Sequence, residues 1–279
     1  MERPLGYPPQ VLCSPPPSRG RSVGAGFMYL GIYFGVQTLA SLLYAVALVV
    51  TTLLNTGALD PEALIGVVNE KLVLLSGVTN ILTLVVLWIV FAARRCSFGA
   101  ETGLRRVHAP ALLILLPLGL CSYVFVCSAL ALLPSGLLES YSESSSTLMT
   151  GLDFLPMLCL VVLAPLAEEV VFRGLVYSRW KRGMGRFLAT LLTGAIFGLL
   201  HGQLVWAVYT FAFSLLLTGV YEWYDSLWAS VLLHACFNAG QYVSGYLEGL
   251  SAAPALVCSG LLLAALVLLA RRAGLAARR

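Results

Sequence analysis

Three short patterns place ionisable or amide side chains inside stretches that otherwise read as membrane helix: Glu168-Glu169-Val-Val-Phe-Arg173, Phe197-Gly-Leu-Leu-His201 and His234-Ala-Cys-Phe-Asn238. A charge near the centre of a bilayer costs at least about 2.5–3.5 kcal/mol, so such groups are rare unless a bundle supplies partners. Glu169 and Arg173 are four positions apart, share one helix face and can pair with each other. Glu168 lies about 100° around the same helix, on the side of Ala164, Phe172 and Leu175, with no cation within a turn. A carboxylate so placed must find a partner on another helix, hold a cation or take up a proton. Each outcome suits a catalytic base. The plainer reading, that the two glutamates only mark the end of a helix beside Arg179, Lys181 and Arg182, meets a difficulty of distance. Glu168 stands about 15 Å before that cluster, too far to snorkel to the interface.

His201 and His234 are two of the chain's 3 histidines, and both sit in apolar sequence. A single membrane histidine is more often a bond between helices, but two of them with an unpaired glutamate point to chemistry. Asn238 follows His234 by one turn and shares its face, offering donors of the kind that stabilise an oxyanion. Two chemistries fit these groups. In one, Glu168, His201 and His234 hold a divalent metal such as zinc that polarises water. In the other, Glu168 and His201 activate water directly while His234 and Asn238 receive the oxyanion. The soluble-metalloprotease pattern H-E-x-x-H is absent, and no serine or cysteine sits in a nucleophile motif.

The elements that must position these groups are membrane helices. The chain of 279 residues is 59% hydrophobic and 11% charged, with a mean hydropathy of +0.89. An ordinary soluble domain is roughly 25% charged. The pattern predicts an all-α polytopic bundle of about eight spans, near 27–54, 70–93, 109–133, 153–178, 187–201, 204–221, 227–246 and 253–270. The fifth is too short to cross a hydrocarbon core of about 30 Å unaided. Basic residues gather in alternate connections: Arg94-Arg95 with Arg105-Arg106, Arg179 to Arg186, and Arg271-Arg272. That places both termini and those loops in the cytoplasm. The loop Glu222–Asp225 falls on the same side without a basic residue. Measured from the expected span ends, Glu168 lies about 15 Å deep, His234 about 10 Å and His201 about 21 Å, which makes His201 the outlier of a site in the cytoplasmic half.

Residues 1–26, with 6 of the 13 prolines, read as a disordered tail, 27–272 as one membrane domain and 273–279 as a short basic tail. The 7 cysteines are scattered without a C-x-x-C pair and suggest neither a disulfide framework nor a thiolate metal site. The net charge of +4 lies in short loops beside membrane segments, a topology signal that gives no reason to expect nucleic acid as a partner. No fixed-period repeat or inverted pair of broken helices is evident, which weighs against a transporter.

The three motifs, in this order, resemble the E-E-x-x-x-R, F-x-x-x-H and H-x-x-x-N/D motifs of the CPBP intramembrane proteases, also called the Abi family, which include type II CAAX prenyl endopeptidases and bacterial proteins of bacteriocin processing and self-immunity. The resemblance covers about residues 155–242, and the eight-helix count is similar. It implies Glu168 as the main catalytic carboxylate, His201 as its partner in activating water, His234 and Asn238 as oxyanion stabilisers, and Glu169 and Arg173 as supporting residues. It further implies a multi-pass enzyme of a bacterial plasma membrane that cleaves a hydrophobic, prenylated or membrane-anchored peptide among lipids. The competing readings are a non-enzymatic immunity or peptide-binding protein using the same groove, and an ion-coupled transporter using the same glutamate and histidines as a relay.

Overall fold

The structure, a computed structural model, describes residues 18–148, 153–247, 249 and 251–277. Most of the expected proline-rich tail and the last two residues lie outside the described residues. Ten helices and no strand make up the described residues: α1 (Arg19–Thr56), α2 (Pro61–Ala93), α3 (Phe98–Thr102), α4 (Ala109–Leu130), α5 (Ser135–Leu148), α6 (Phe154–Met184), α7 (Arg186–Leu199), α8 (Leu204–Tyr224), α9 (Leu227–Ala239) and α10 (Ala252–Ala277). All but α3 and α5 answer to the expected spans, and the protein is an all-α membrane bundle. Six of them, α1, α2, α4, α6, α8 and α10, are long and apolar enough to cross a membrane, whereas α7 has 14 residues and α9 has 13. The α9 helix stops short of the expected residue 246 at Gly240, a poor helix former, and continues as a 3-10 turn over Gly240–Leu247.

Tertiary contacts also move two other boundaries. The α1 helix begins at Arg19, not near residue 27, because its first turns dock on the far end of α6. There the Trp180 indole N–H donates to the Val23 carbonyl at 3.1 Å. Gly26 lies so close to that indole that a Cβ would stand 2.2 Å from Nε1. For its part, α6 continues past residue 178 to Met184, since Ser178, Arg179 and Trp180 are buried against α1 and α3. Arg179 does not snorkel to the interface; it pairs with Glu101 of α3 and donates to the Glu101 carbonyl at 2.8 Å.

Charged side chains collect at one end of the bundle. Lys181 and Arg186 reach Glu222 at 2.5 and 3.0 Å, and Arg105 pairs with Asp225. The loop that seemed to break the charge rule thus carries the acids that neutralise basic residues of its neighbours. Asp225 sits at φ 49°, a left-handed position that a short polar side chain tolerates.

Two apolar clusters form the core. One joins α6 to α1, α2 and α7 through residues such as Leu87, Phe91, Val171, Phe172 and Trp180. The other joins α4, α8 and α10 through Leu115, Leu118, Leu217 and Leu266. The α9 helix belongs to both, with Leu227 and Val231 in the first and Leu233 and Phe237 in the second. It reaches α4 closely enough that a Cβ on Gly119 would lie 2.6 Å from the Leu233 carbonyl. Of the described cysteines, Cys96 is disulfide-bonded, which the scattered spacing did not anticipate, and Cys121, Cys127, Cys159, Cys236 and Cys258 are free. A Gly119→Leu substitution is expected to push α9 away from α4 at a cost of about 1–3 kcal/mol, read as earlier thermal unfolding in detergent; unchanged unfolding would contradict the close approach.

Candidate active site

The helix that carries the first motif is irregular where it matters. In α6 the Ala164 N–H bonds to the Cys159 carbonyl, five residues back, closing a π turn over Cys159–Leu163. Continuing that register, the Leu160 carbonyl would accept from residue 165, but Pro165 has no N–H to give. Asn238 supplies the missing donor, its Nδ2 lying 2.9 Å from the Leu160 oxygen. A regular turn, Ala164–Glu169, then presents both glutamates before a second π stretch, Val170–Tyr177. Single-turn π segments of this kind re-aim side chains and are frequent at functional sites.

The two adjacent glutamates meet opposite surroundings. Glu169 and Arg173 are fully buried and pair at 2.8 Å, as their spacing predicted. The guanidinium goes further, donating to Ser214 Oγ at 2.7 Å and to the Ser214 carbonyl at 3.2 Å, both on α8. It also lies over the Phe197 ring of α7, 4.7 Å from the centroid. Glu169 Oε1 accepts in addition from His234 Nδ1 of α9 at 2.9 Å. The expected single-helix pair is therefore the junction of four helices, with His234 held by Glu169 across from α9 to α6.

Glu168 instead keeps 20% of its side chain exposed and faces a cavity. Its Oε2 lies 3.8 Å from His234 Nε2. Because His234 donates through Nδ1 to the Glu169 carboxylate, its Nε2 is the nitrogen turned to Glu168. His201 is oriented in a parallel way: its Nδ1 lies 2.8 Å from the Phe197 carbonyl, which can only accept, so Nε2 is left for other work. The Phe197 ring packs on both imidazoles, at 5.1 Å from His201 and 5.9 Å from His234. That gives the phenylalanine of the second motif a physical task, spacing the two histidines above the buried cation.

Glu168, His201, His234 and Asn238 all line one cavity of about 590 Å³, which reaches from this floor toward α5. Glu169 and Arg173 do not line it. Their depths also agree. Lys181 and Arg186 lie level through their shared partner Glu222. From that layer Glu168 is thirteen residues along α6, about 20 Å, and His201 fifteen residues along α7, about 22 Å. His201 ceases to be the outlier because α6 is longer than its apolar run suggested. Ser214, Leu160 and Phe213, whose ring lies 5.7 Å from that of His234, were not singled out from sequence. Pro165 inside an apolar run was the one available signal for Leu160; Ser214 had none.

Metal binding can be tested on the donors. Among the described residues no three His, Cys, Asp or Glu side chains come together in a way that would hold an ion. Glu168, His201 and His234 share the cavity, and the bonds of His234 Nδ1 to Glu169 and of His201 Nδ1 to the Phe197 carbonyl leave the two Nε2 atoms available. As arranged, the three do not form an ion-holding group, and the chemistry is derived from the side chains alone.

Comparisons with known proteins fall on the same region. Residues 150–240, which contain all three motifs, match the family described as type II CAAX prenyl endopeptidase, Rce1-like. The chain is 24% identical over 130 residues to "Putative membrane peptidase YdiL" of Bacillus subtilis (strain 168), covering 44% of this chain and 53% of that protein. It is 27% identical over 106 residues to "UPF0177 protein YbdI" of Lactococcus lactis subsp. lactis (strain IL1403), covering 36% and 57%. The chain thus spans little more than half the length of these curated relatives. No solved structure matches. The resemblance read from the motifs holds for the segment that bears them.

Two outcomes follow from this geometry. Arg173→Ala strands a buried carboxylate and is expected to lower stability by about 3–5 kcal/mol, whereas the Glu169→Gln, Arg173→Met pair loses less; thermal unfolding in detergent distinguishes them, and equal losses would contradict the pairing. Asn238→Ala orphans the Leu160 carbonyl at a cost of about 1–3 kcal/mol. Pro165→Ala in the same chain restores a backbone donor and should recover part of that loss, a coupling that a double-mutant cycle measures.

Proposed function

We propose that this protein is an intramembrane endopeptidase that hydrolyses a peptide bond of a hydrophobic or membrane-anchored polypeptide. The observation that carries the reading is the arrangement of Glu168: a carboxylate open to a cavity, beside His234 and sharing that cavity with His201, the Nδ1 atoms of both imidazoles being fixed elsewhere. The match of the motif segment to an endopeptidase family supports the same class. Glu168 takes a proton from a water molecule as its oxygen attacks the scissile carbonyl, and His201 Nε2 orients that water. The carbonyl oxygen becomes an anion, which the second N–H of Asn238 and an N–H of His234 at Nε2 stabilise. Glu169 fixes the orientation of that ring through its bond to Nδ1. The proton held on Glu168 then passes to the leaving amine as the C–N bond breaks. Glu169 and Arg173 touch neither water nor substrate; they position His234 and Phe197.

The working unit is the whole bundle, because Tyr33 of α1 and Val73 of α2 line the cavity alongside the motif residues. The ion-paired end of the bundle, rich in arginine and lysine, is assigned to the cytoplasm by the positive-inside tendency, with both termini on that side. That ion-paired layer belongs to the interfacial region of a bilayer about 40–45 Å thick, so reactive groups about 20 Å from it lie in the cytoplasmic half.

The test is cleavage by purified protein. Glu168→Gln and His201→Ala are each expected to lower turnover of a membrane peptide by at least about 100-fold while the protein still inserts and purifies. Normal proteolysis by either variant would end the assignment. Retained peptide binding without product from the unaltered protein would favour a peptide-binding protein instead.

A further inference from the structure

Among the described residues, four tyrosines line the cavity, and three of them spend their hydroxyls on one another or on a neighbour. Tyr141 and Tyr209 bond to each other, and Tyr123 bonds to Cys127. Tyr33 of α1 is the exception: its half-buried side chain faces the cavity, and its hydroxyl has no hydrogen-bond partner among the described residues. The ring stands edge-on against Phe172, with 5.8 Å between centroids. Phe172 lies one turn beyond Glu168 on the same face of α6, which makes Tyr33 and Glu168 electrostatic neighbours.

The level of Tyr33 is fixed on both sides. Val23 and Trp180 are joined by a hydrogen bond. From that bond Tyr33 lies ten residues along α1, about 15 Å, and Glu168 twelve residues along α6, about 18 Å. One turn past Tyr33, Gln37 donates to the buried Asn80 of α2 at 3.2 Å. The α1 helix packs on α2 and α6, whereas α9 packs on α4, α6 and α8. Tyr33 therefore approaches Glu168 from another side than His234.

A polypeptide must leave helical form at the bond to be cut, which frees backbone carbonyls that lipid cannot satisfy. His234 and Asn238 are assigned to the carbonyl of the scissile bond, so the neighbouring carbonyls need other donors. We propose that Tyr33 is a substrate-binding residue whose hydroxyl donates to a backbone carbonyl next to the scissile bond. The inference rests on the endopeptidase reading and adds to it a residue of α1, outside the three motifs and outside the matched residues 150–240. That carbonyl gains no charge during the reaction. The bond thus holds substrate and transition state equally and shows in KM, not in kcat.

Tyr33→Phe keeps the ring against Phe172 and removes the donor, whereas Tyr33→4-aminophenylalanine keeps a donor at the same place. The probe is a lysine-flanked membrane peptide of about 20 alanine and leucine residues with two central glycines. Its binding to the full-length protein in detergent is measured with Glu168→Gln also present, so that no peptide is consumed, and its turnover with Glu168 intact. Tyr33→Phe is expected to weaken binding and raise KM on the order of tenfold, the scale of one hydrogen bond left unmade, with kcat and thermal unfolding unchanged. The 4-aminophenylalanine variant should recover most of the binding. Unchanged binding in Tyr33→Phe, a loss that the second variant does not recover, or no binding by the protein with Tyr33 intact each overturn the inference. Binding that depends on Tyr33 without any cleavage sinks the endopeptidase reading alone.

Discussion

The fully buried pair of Glu169 and Arg173 is the constraint on which the rest of this site depends. An ion pair removed from water is tolerated only when its remaining hydrogen-bonding capacity is met, and breaking one partner typically costs about 3–5 kcal/mol. Arginine suits the task because its planar fork can address several acceptors at once. Here the fork reaches Glu169 on its own helix and Ser214 on α8, while its face rests on Phe197 of α7. The carboxylate completes the set by accepting from His234 of α9. Four helices are thereby fixed relative to one another around a charge that none of them could bury alone.

That fixed centre explains how two glutamates adjacent in sequence come to play unlike parts. Neighbouring residues on a helix point about 100° apart, so one turns inward to the guanidinium and the other toward open space. The π turn imposed upstream sets where the turn bearing them begins. Pro165 denies the Leu160 carbonyl a backbone donor, and Asn238 closes the vacancy from α9. The third motif is thus tied to α6 at both of its polar ends, His234 to Glu169 of the first motif and Asn238 to Leu160 upstream of it. One N–H of Asn238 remains for the cavity, held at an orientation that its partner bond determines.

Periodicity and local spacing made much of this visible beforehand. The helical class, the Glu169–Arg173 pair and the shared face of His234 and Asn238 follow from apolar runs or from residues a turn apart, which are short-range properties of a chain. The parts that escaped are contacts between residues distant in sequence. Trp180 draws Val23 and Gly26 into helix from more than a hundred and fifty positions away. Glu222 and Asp225 look unsupported until Lys181, Arg186 and Arg105 are brought beside them. His234 seemed free because its partner belongs to α6. Ser214 is one hydroxyl in an apolar helix, and nothing in its neighbourhood marks it as the acceptor for a guanidinium forty-one residues earlier.

The short α7 helix shows why length alone misleads in a membrane chain. Fourteen residues rise only about 21 Å, less than a hydrocarbon core of about 30 Å. A helix that had to cross would carry His201 beyond the level of Glu168. By ending early at Leu199, with Gly202 turning the chain back at φ 76° into α8, α7 leaves His201 in the following turn, inside the bundle. Non-spanning backbone at that depth is acceptable only where protein or a polar cavity covers its ends. The cavity and the overlying α5 meet that condition, with Gln203 of the turn donating to Ser144 of α5 at 3.2 Å and Trp206 packed edge-on against Tyr141 at 5.9 Å. The helix that is too short to span is therefore the one whose length brings His201 level with Glu168.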